Sequence, residues 1–373
     1  RKRTTMAEVI TEPPPTPPPP PPPPQYPDIF AALAAAQEEQ NASKAAAGTQ
    51  ADGELLLLGS KGAGKSTVVY AFTQKDETPK PSTALEYRFA RRPAGPQNLN
   101  TVANIWELGG GTQLSELLKV VLRPDRLERC VVVIVLDMSA PGDALKTLSF
   151  WLQAVRKVVD SALARLHADA AGAATLEELR RKQAEVWAEH PDAQQVRPMG
   201  VPLLVVAHKW DDFESNFGEA EYRKLCTRTL RFVCHLNGAS LVCTKHKDKQ
   251  QMTLLRNMMY NLVFGTSPVK SVQHEHSSPL VSPAGSDSFG GVGKPPTVDG
   301  VLSNEPLERW VGAYEATFPL SKEGGKASGG QDLSMVEAEQ FAEECVDELR
   351  RQKRDEVEKL RREARLLEAE QAI

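Results

Sequence analysis

The sequence predicts an α/β domain of three layers, in which helices cover both faces of a mostly parallel sheet. Two observations support this fold class. Between residues 53 and 265, short apolar runs alternate with longer segments of helical spacing, as in parallel strands joined by crossover helices. The first run, ELLLLG, leads into GSKGAGKS, a glycine-rich stretch typical of a strand-to-helix turn that holds phosphate. With 40% hydrophobic residues in 373, the chain has enough apolar side chains for a core there.

The charge balance excludes several kinds of partner. The chain has 45 Lys and Arg against 49 Asp and Glu, a net charge of -4, so no overall field favours nucleic acid or an anionic membrane. No apolar run approaches the roughly 20 residues needed to cross a bilayer. Five cysteines without a CxxC pair favour reduced thiols over disulfides or a zinc site. We therefore expect a soluble intracellular protein that neither binds nucleic acid nor inserts into a membrane.

The N-terminal part divides into two segments. Residues 1–28 are expected to form a disordered polyproline arm, because Pro13–Pro24 is almost entirely proline and favours an exposed, stiff polyproline II conformation. The arm is interpreted as a spacer, with a ligand for SH3, WW or profilin-type domains as the alternative. Residues 29–52 are rich in Ala and Gln and predict a helical lead-in to the first strand.

Residues 53–265 form the predicted domain. Its expected buried strands are ELLLLG, TVANIWEL, CVVVIVLDM, VPLLVVAHKW and GASLVCT. Between the third and fourth of these runs, residues 142–197 form a long insertion whose apolar spacing is helical. We interpret this insertion as an amphipathic helical pair that covers the sheet.

Two further segments follow the domain. Residues 266–333 are rich in Ser, Pro and Gly and suggest a loosely packed extension, or one ordered on binding. Within it, a short helix is predicted over 306–318, with an apolar face formed by Leu307, Trp310, Val311 and Tyr314. Residues 334–373 predict a charged helix that begins with a capping box of Ser334 and Glu337. Its thin apolar stripe favours a partner surface, with a solvated single helix as the alternative.

The glycine-rich stretch supplies most of the predicted cofactor-binding residues. In such a loop, glycines let backbone N–H groups turn towards a phosphate, the lysine pairs with phosphate charge, and the following hydroxyl binds magnesium. The residues assigned to these roles are Gly59, Gly62, Gly64, Lys65, Ser66 and Thr67.

The residues that a GTPase uses for hydrolysis are altered. Ser66, Thr83 and Glu107 are the candidate metal ligands, since Thr83 lies where a switch threonine would close on magnesium and Glu107 replaces the usual Asp of Asp-x-x-Gly. Gly110 matches the glycine of that motif. Gly111 stands where a glutamine would orient water, and it has no side chain to do so. We therefore predict no catalytic residue and slow or absent hydrolysis.

Two later loops resemble elements that read a guanine base. AHKWD matches Asn-Lys-x-Asp with His208 in place of Asn, so Lys209 and Asp211 are assigned to the base, Asp211 accepting from guanine. Thr244 and Lys245, after the last strand, fall where a final base-contacting loop would be, although an ordinary strand end explains them equally well. The predicted cofactor is a guanine nucleotide with Mg2+.

Taken in order, these motifs resemble the light intermediate chains of cytoplasmic dynein. The matching stretches include GSKGAGKS, IWELGGGTQL, VPLLVVAHKWDDF and LERWVGAYEATFP, and they span Gly53–Pro319. The WELGGG stretch and the preceding ALEY and RR are more similar to the light intermediate chain of dynein 2, the motor of retrograde intraflagellar transport, than to that of the main cytoplasmic dynein.

The resemblance implies a Ras-like domain that packs on the tail of the dynein heavy chain and stabilises it without catalysis. The implied partners are the cytoplasmic dynein 2 heavy chain, other dynein 2 subunits and, indirectly, intraflagellar transport particles. The implied locations are the cytoplasm, the cytoskeleton, the cilium or flagellum and the basal body. Apolar helices such as Leu307–Phe318 are the expected anchors. Two alternatives remain: a working GTPase switch that regulates ciliary transport, and a scaffold acting through the Pro-rich arm.

Overall fold

The structure is a computed structural model, and it describes residues 52–75, 82–92, 102–168, 172–297, 304–320, 348–349, 351–357 and 359. The predicted polyproline arm, nearly all of the helical lead-in and the predicted capping box of the C-terminal helix lie outside these residues. Residues 348–349, 351–357 and 359 are helical, with Leu349 and Val357 exposed.

Seven strands form one mostly parallel sheet, which confirms the predicted fold class. The strands are β1 Gly53–Gly59, β2 Leu85–Arg91, β3 Val102–Leu108, β4 Cys130–Asp137, β5 Leu203–His208, β6 Ser240–Thr244 and β7 Val281–Ser282. Their order across the sheet is β2-β3-β1-β4-β5-β6-β7. The five inner strands pair in parallel, whereas β2 and β7 are antiparallel at the two edges.

The inner strands are those that the apolar runs predict, and the edge strands were missed. Strand β2 alternates half-buried and exposed residues, with Tyr87 and Phe89 about half exposed, so it lacks the continuous apolar run of a buried strand. Strand β7 spans only two residues, too few to give a sequence pattern. Both strands are specified by pairing with a neighbour rather than by their own composition.

Nine α-helices surround the sheet within the described residues. They are α1 Lys65–Thr73, α2 Leu118–Val121, α3 Pro141–Ala168, α4 Ala173–Trp187, α5 Trp210–Asn216, α6 Ala220–Leu236, α7 Lys249–Phe264, α8 Phe289–Val292 and α9 Pro306–Thr317. Two 3-10 helices, Gly111–Leu117 and Pro124–Arg129, lie between β3 and β4. The predicted helical insertion contains almost all of α3 and the whole of α4.

The core has two layers because strand side chains alternate between the two faces of the sheet. On one face, Leu55 and Leu57 of β1 pack with apolar residues of α1 and α7. On the other face, Leu56 and Leu58 pack with residues of α3, α6 and α9. The three layers place the carboxyl end of β1 and the start of α1 at one end of the parallel sheet, where sites commonly form in such folds.

The segment after residue 265 is an integral part of the domain. Strand β7 extends the sheet beside β6, and Leu280 and Val292 are fully buried. A buried ion pair joins Asp287 to Arg231 of α6, with Nη2 to Oδ1 at 2.6 Å. The expectation of a loosely packed extension is therefore wrong for residues 280–292.

Helix α9 uses its apolar face inside the same chain. Trp310, Tyr314 and Phe318 are at most 2% exposed. The Tyr314 hydroxyl donates to the carbonyl of Pro141 at 2.9 Å and so ties α9 to the start of α3. These side chains are already covered, so the expectation that the apolar face of Leu307–Phe318 serves as an external anchor is wrong for this face.

Candidate nucleotide site

The phosphate loop connects β1 to α1 and depends on three glycines with positive φ. The φ angles are 146° at Gly59, 79° at Gly62 and 96° at Gly64, a range that side-chain-bearing residues rarely adopt. At Gly59 a Cβ atom would lie 2.2 Å from the carbonyl oxygen of Val135. At Gly62 a Cβ atom would have no neighbour within 4 Å, so the loop is open on that side. The open side lies beside the N-terminus of α1, where backbone N–H groups and the helix dipole favour an anion.

Lys65 is held inside this loop. Its ammonium donates to the carbonyls of Gly59 at 3.1 Å and Ser60 at 2.8 Å, and the residue is only 6% exposed. Burial lowers the pKa of Lys65, and the charge of Glu107 partly opposes that shift. An anion beside the loop would favour the charged form of this lysine and strengthen its hold on the ligand.

Glu107 links the phosphate loop to the loop before β2. Its Oε1 accepts from the Ser66 hydroxyl at 2.6 Å and from the Ser82 hydroxyl at 2.9 Å. Glu107 is 2% exposed, and its Oε2 is buried with no hydrogen-bond partner in the described structure. An unpaired buried carboxylate oxygen beside a serine hydroxyl fits a hard divalent cation, which prefers oxygen ligands.

The switch elements contain a residue that the sequence reasoning did not select. The structure places the Ser82 hydroxyl on Glu107, whereas the neighbouring Thr83 is exposed. The signal available in the sequence was a second hydroxyl directly before Thr83. Gly110 and Gly111 have φ of 71° and 63°, and a Cβ at Gly111 would contact only the backbone nitrogen of Lys61, at 3.9 Å.

His208 lies against the phosphate loop. A Cβ atom on Gly64 would be 2.3 Å from Cδ2 of His208, so the imidazole packs directly on that glycine. His208 is 2% exposed, and its Nδ1 hydrogen-bonds the Thr244 hydroxyl at 2.9 Å. Burial, with smaller contributions from His246 and Lys209, lowers the pKa of His208 to about 4, so the ring is neutral at pH 7. His208 thus connects the end of β5, where the predicted base-reading motif begins, to the phosphate loop by packing on Gly64.

The predicted base-contacting residues have mostly been taken into internal contacts. The ammonium of Lys209 is paired with Asp137 at 2.5 Å, and that of Lys245 with Glu214 at 2.5 Å. Thr244 is fully buried. Asp211, half-buried in the first turn of α5, is the predicted base-reading side chain without a hydrogen bond to a described residue. A guanine base would therefore find one prepared acceptor rather than the full predicted set.

A histidine cluster elsewhere was not predicted. His190, Asp192 and His235 bring ligand-type atoms within 4.8 Å of one another. The Nδ1 of His190 accepts from the Asp192 amide at 3.1 Å, so its Nε2 carries the proton and donates to the Asp287 carbonyl at 2.9 Å. His235 Nε2 bonds the Asp192 carboxylate at 2.9 Å. Because both nitrogens of His190 are occupied, the cluster is a hydrogen-bond network rather than a prepared metal site.

The described cysteines are free thiols buried in the core: Cys130, Cys226, Cys234 and Cys243. Burial raises the pKa of Cys130 and Cys243 to about 12 and that of the other two as well. They therefore act as small apolar residues and not as nucleophiles. Cys345 lies outside the described residues.

The fold and the site define an α/β domain of Ras-like architecture with a phosphate-loop motif and with Glu, Gly and His at three positions of the GTPase pattern. A family model described as dynein light intermediate chain matches residues 30–198 and 190–290. The chain belongs to the dynein light intermediate chain family.

Individual relatives agree with this assignment. The human cytoplasmic dynein 2 light intermediate chain 1 is 35% identical over 317 residues, covering 83% of this chain and 87% of the relative. The zebrafish (Danio rerio) protein of the same name is 34% identical, covering 83% and 85%. The human cytoplasmic dynein 1 light intermediate chain 1 is 26% identical, covering 57% and 45%.

A solved structure supports the fold independently. The crystal structure of the conserved domain of a dynein light intermediate chain superposes with a TM-score of 0.52. It is 20% identical in sequence, and the match covers 73% of this chain and 92% of that one. Among the described helices, none is both long and apolar enough to cross a membrane.

Proposed function

We propose that this protein is a non-catalytic light intermediate chain subunit of the cytoplasmic dynein 2 motor. In this role it binds and stabilises the tail of the heavy chain and so supports retrograde intraflagellar transport and cilium assembly. The observation that carries the proposal is the 35% identity to the human dynein 2 protein over 83% of this chain, against 26% over 57% for the dynein 1 protein.

The geometry of the site favours holding a nucleotide over hydrolysing it. Phosphoryl transfer needs a group that orients the attacking water. Gly111, at the position where the GTPase pattern has a glutamine, has no side chain, and a Cβ there would face only the Lys61 backbone. The candidate metal ligands Ser66 and Glu107 are hydrogen-bonded to each other, while Thr83, the third candidate, is exposed.

The phosphate loop would then serve stability. A bound guanine nucleotide with Mg2+ would supply phosphate charge to Lys65 and a cation to Ser66 and the free oxygen of Glu107. A ligand that binds only the folded state stabilises it by mass action, by about 2.7 kcal/mol at a ligand concentration one hundred times Kd. The predicted benefit is a stiffer end of the sheet near β1, β3 and β5.

Recovery of dynein heavy chain tests the proposal. Wild-type protein, Lys65→Ala and Lys61→Ala would be expressed at equal levels in ciliated cells and captured, and bound heavy chain would be quantified. Lys61 is an exposed lysine of the same loop and serves as the matched control. Heavy chain recovered with wild type supports the subunit role, and its absence overturns that role. Loss with Lys65→Ala alone would show that nucleotide occupancy shapes the docking surface.

A working GTPase switch is the second candidate, favoured by the intact hydrogen bond between Ser66 and Glu107. Single-turnover hydrolysis of GTP by wild type and Lys65→Ala separates the two functions. Equal rates exclude the switch, and a clearly faster wild type supports it. The scaffold alternative rests on the polyproline arm, and unchanged partner recovery after deletion of residues 1–26 would exclude it.

A further inference from the structure

A basic cavity of about 390 Å³ lies between α6 and α9, away from the phosphate loop. Its lining combines three cationic side chains, Lys224, Arg228 and Lys294, with the apolar surfaces of Tyr222, Leu225 and Trp310. Such a mixture of ring, aliphatic and cationic groups suits an acidic peptide with some apolar side chains, because carboxylates meet the cations while apolar residues meet the rings.

Two of the three cationic groups of this basic cavity have no ion-pair partner among the described residues. Glu221 is an acidic lining residue, and it lies 3.9 Å from Lys224 in an exposed pair. Within the described structure, Arg228 and Lys294 make no ion pair. The indole N–H of Trp310 is buried and has no hydrogen-bond acceptor among the described residues. Two cations without an ion pair at one cavity favour an anionic occupant.

The chain itself carries a matching segment close by. Thr317, at the end of α9, lines the cavity, and the described backbone continues from there to Leu320. The next 15 residues, 321–335, include four glycines and three serines. Residues 336–347, VEAEQFAEECVD, then contain five carboxylates and no Lys or Arg, together with Val336, Phe341 and Val346. We call this stretch the acidic segment.

The connection is long enough for the acidic segment to return to the basic cavity. For a Gly- and Ser-rich sequence of 15 residues the expected root-mean-square span is roughly 20 Å, and a tether of that length gives an effective concentration in the millimolar range. Even a weak charge-assisted contact would then be well populated, and added salt would weaken it. We propose that the acidic segment docks in the basic cavity between α6 and α9 of its own chain.

The test uses the full chain and two readouts. Hydrogen exchange reports protection of residues 336–347, and the Trp310 indole N–H resonance, assigned with Trp310→Phe, reports the cavity. The cavity variant is Arg228→Glu with Lys294→Glu, and the segment variant is Glu343→Gln with Glu344→Gln. Lys157→Glu with Arg165→Glu, on α3, is a control with the same change of charge at another surface.

We expect amide hydrogen exchange in the acidic segment to be about tenfold faster in the cavity and segment variants than in wild type. This factor corresponds to about 1.4 kcal/mol of lost docking free energy. The control variant keeps the wild-type rate. The Trp310 resonance shifts in the segment variant, although those substitutions are more than 30 residues away from Trp310 in the sequence. Combining the cavity variant with Glu343→Lys and Glu344→Lys restores protection.

Three results would overturn the proposal. The acidic segment exchanges equally fast in wild type and both variants, or the Trp310 resonance does not respond to the segment variant, or protection rises with protein concentration. The last result would assign the cavity to a second copy of the chain. None of these outcomes depends on dynein binding or on nucleotide, so the proposed function is tested separately.

Discussion

Removing the Asp287 carboxylate should destabilise the whole domain, because this residue holds the segment after α7 to the core. Its Oδ2 accepts from Arg231 Nε at 2.7 Å and its Oδ1 from Arg231 Nη2 at 2.6 Å. The two side chains are only 5% and 6% exposed. Asp287 also accepts from the Ser288 amide at 2.8 Å, and Arg231 donates to the His274 carbonyl at 3.3 Å.

The expected magnitude follows from this burial. In Asp287→Asn the guanidinium of Arg231 stays buried without a counter-charge, and breaking such a pair costs about 3–5 kcal/mol. That is a large share of the roughly 5–15 kcal/mol that stabilises a typical domain. Replacing both partners by apolar residues, as in Arg231→Met with Asp287→Leu, should cost less than Asp287→Asn alone, because no charge is then left uncompensated.

Urea unfolding followed by circular dichroism and tryptophan fluorescence measures these differences. The control is Asp125→Asn, since Asp125 pairs with Arg123 at 3.0 Å but both side chains are 53% exposed. An exposed pair contributes at most about 1 kcal/mol. Asp287 does not hold this segment to the core if Asp287→Asn is no more destabilising than Asp125→Asn, or if the double variant is the least stable of the set.

The ion pair between Arg231 and Asp287 should also make the stability of the domain sensitive to acid. Burial alone would raise the pKa of Asp287, but its hydrogen bonds and charge interaction with Arg231 outweigh that effect and lower it below the ordinary 3.8. A lowered folded-state pKa means that the stabilisation is present above the unfolded value and is lost as pH falls through the folded one. Asp287→Asn should therefore flatten the loss of stability below about pH 4.

Three further predictions concern the phosphate loop and α9. Folding lowers the pKa of His208 from 6.5 to about 4, so the unfolding free energy of the wild type should fall by up to about 3 kcal/mol as pH drops from 6.5 to 4. His208→Asn should remove that pH dependence, and parallel curves of unfolding free energy against pH for the two proteins would contradict the prediction. In urea unfolding, Gly64→Ala should destabilise the domain more than Gly62→Ala. Both glycines have positive φ, but only a Cβ atom at Gly64 would clash with the His208 ring, so equal losses of stability would contradict the packing of His208 on Gly64. Tyr314→Phe should lower the unfolding free energy by about 1–3 kcal/mol, since the Pro141 carbonyl loses its donor, and an unchanged midpoint would contradict it.

The structure also changes how the subunit role can be tested. Deleting the chain after Gly265 would remove β7, Asp287 and α9 from the core. Loss of heavy chain after such a deletion would then report unfolding rather than a missing anchor. Point substitutions on exposed residues, with unfolding measured alongside, are the informative route.

The sequence by itself determined the features that depend on local composition. Apolar runs are buried on both faces wherever they form parallel strands, so the five inner strands could be identified one by one. The positive φ angles of Gly59, Gly62 and Gly64 are accessible to glycine at low cost, so the phosphate loop was recognisable from its spacing.

The tertiary structure alone decided the features that depend on which surfaces meet. The apolar stripe of α9 is the same whether it faces a partner or its own α6, and only packing shows that Trp310 is 1% exposed. Ser82 was indistinguishable from Thr83 until Glu107 lay 2.9 Å from its hydroxyl. From the sequence, His208 was only a replacement for the asparagine of the base-reading motif, and the structure shows that its ring packs against Gly64. The physical reason is common to all three: local sequence specifies backbone conformation and amphipathicity, whereas contacts between residues far apart in the chain exist only after the core has formed.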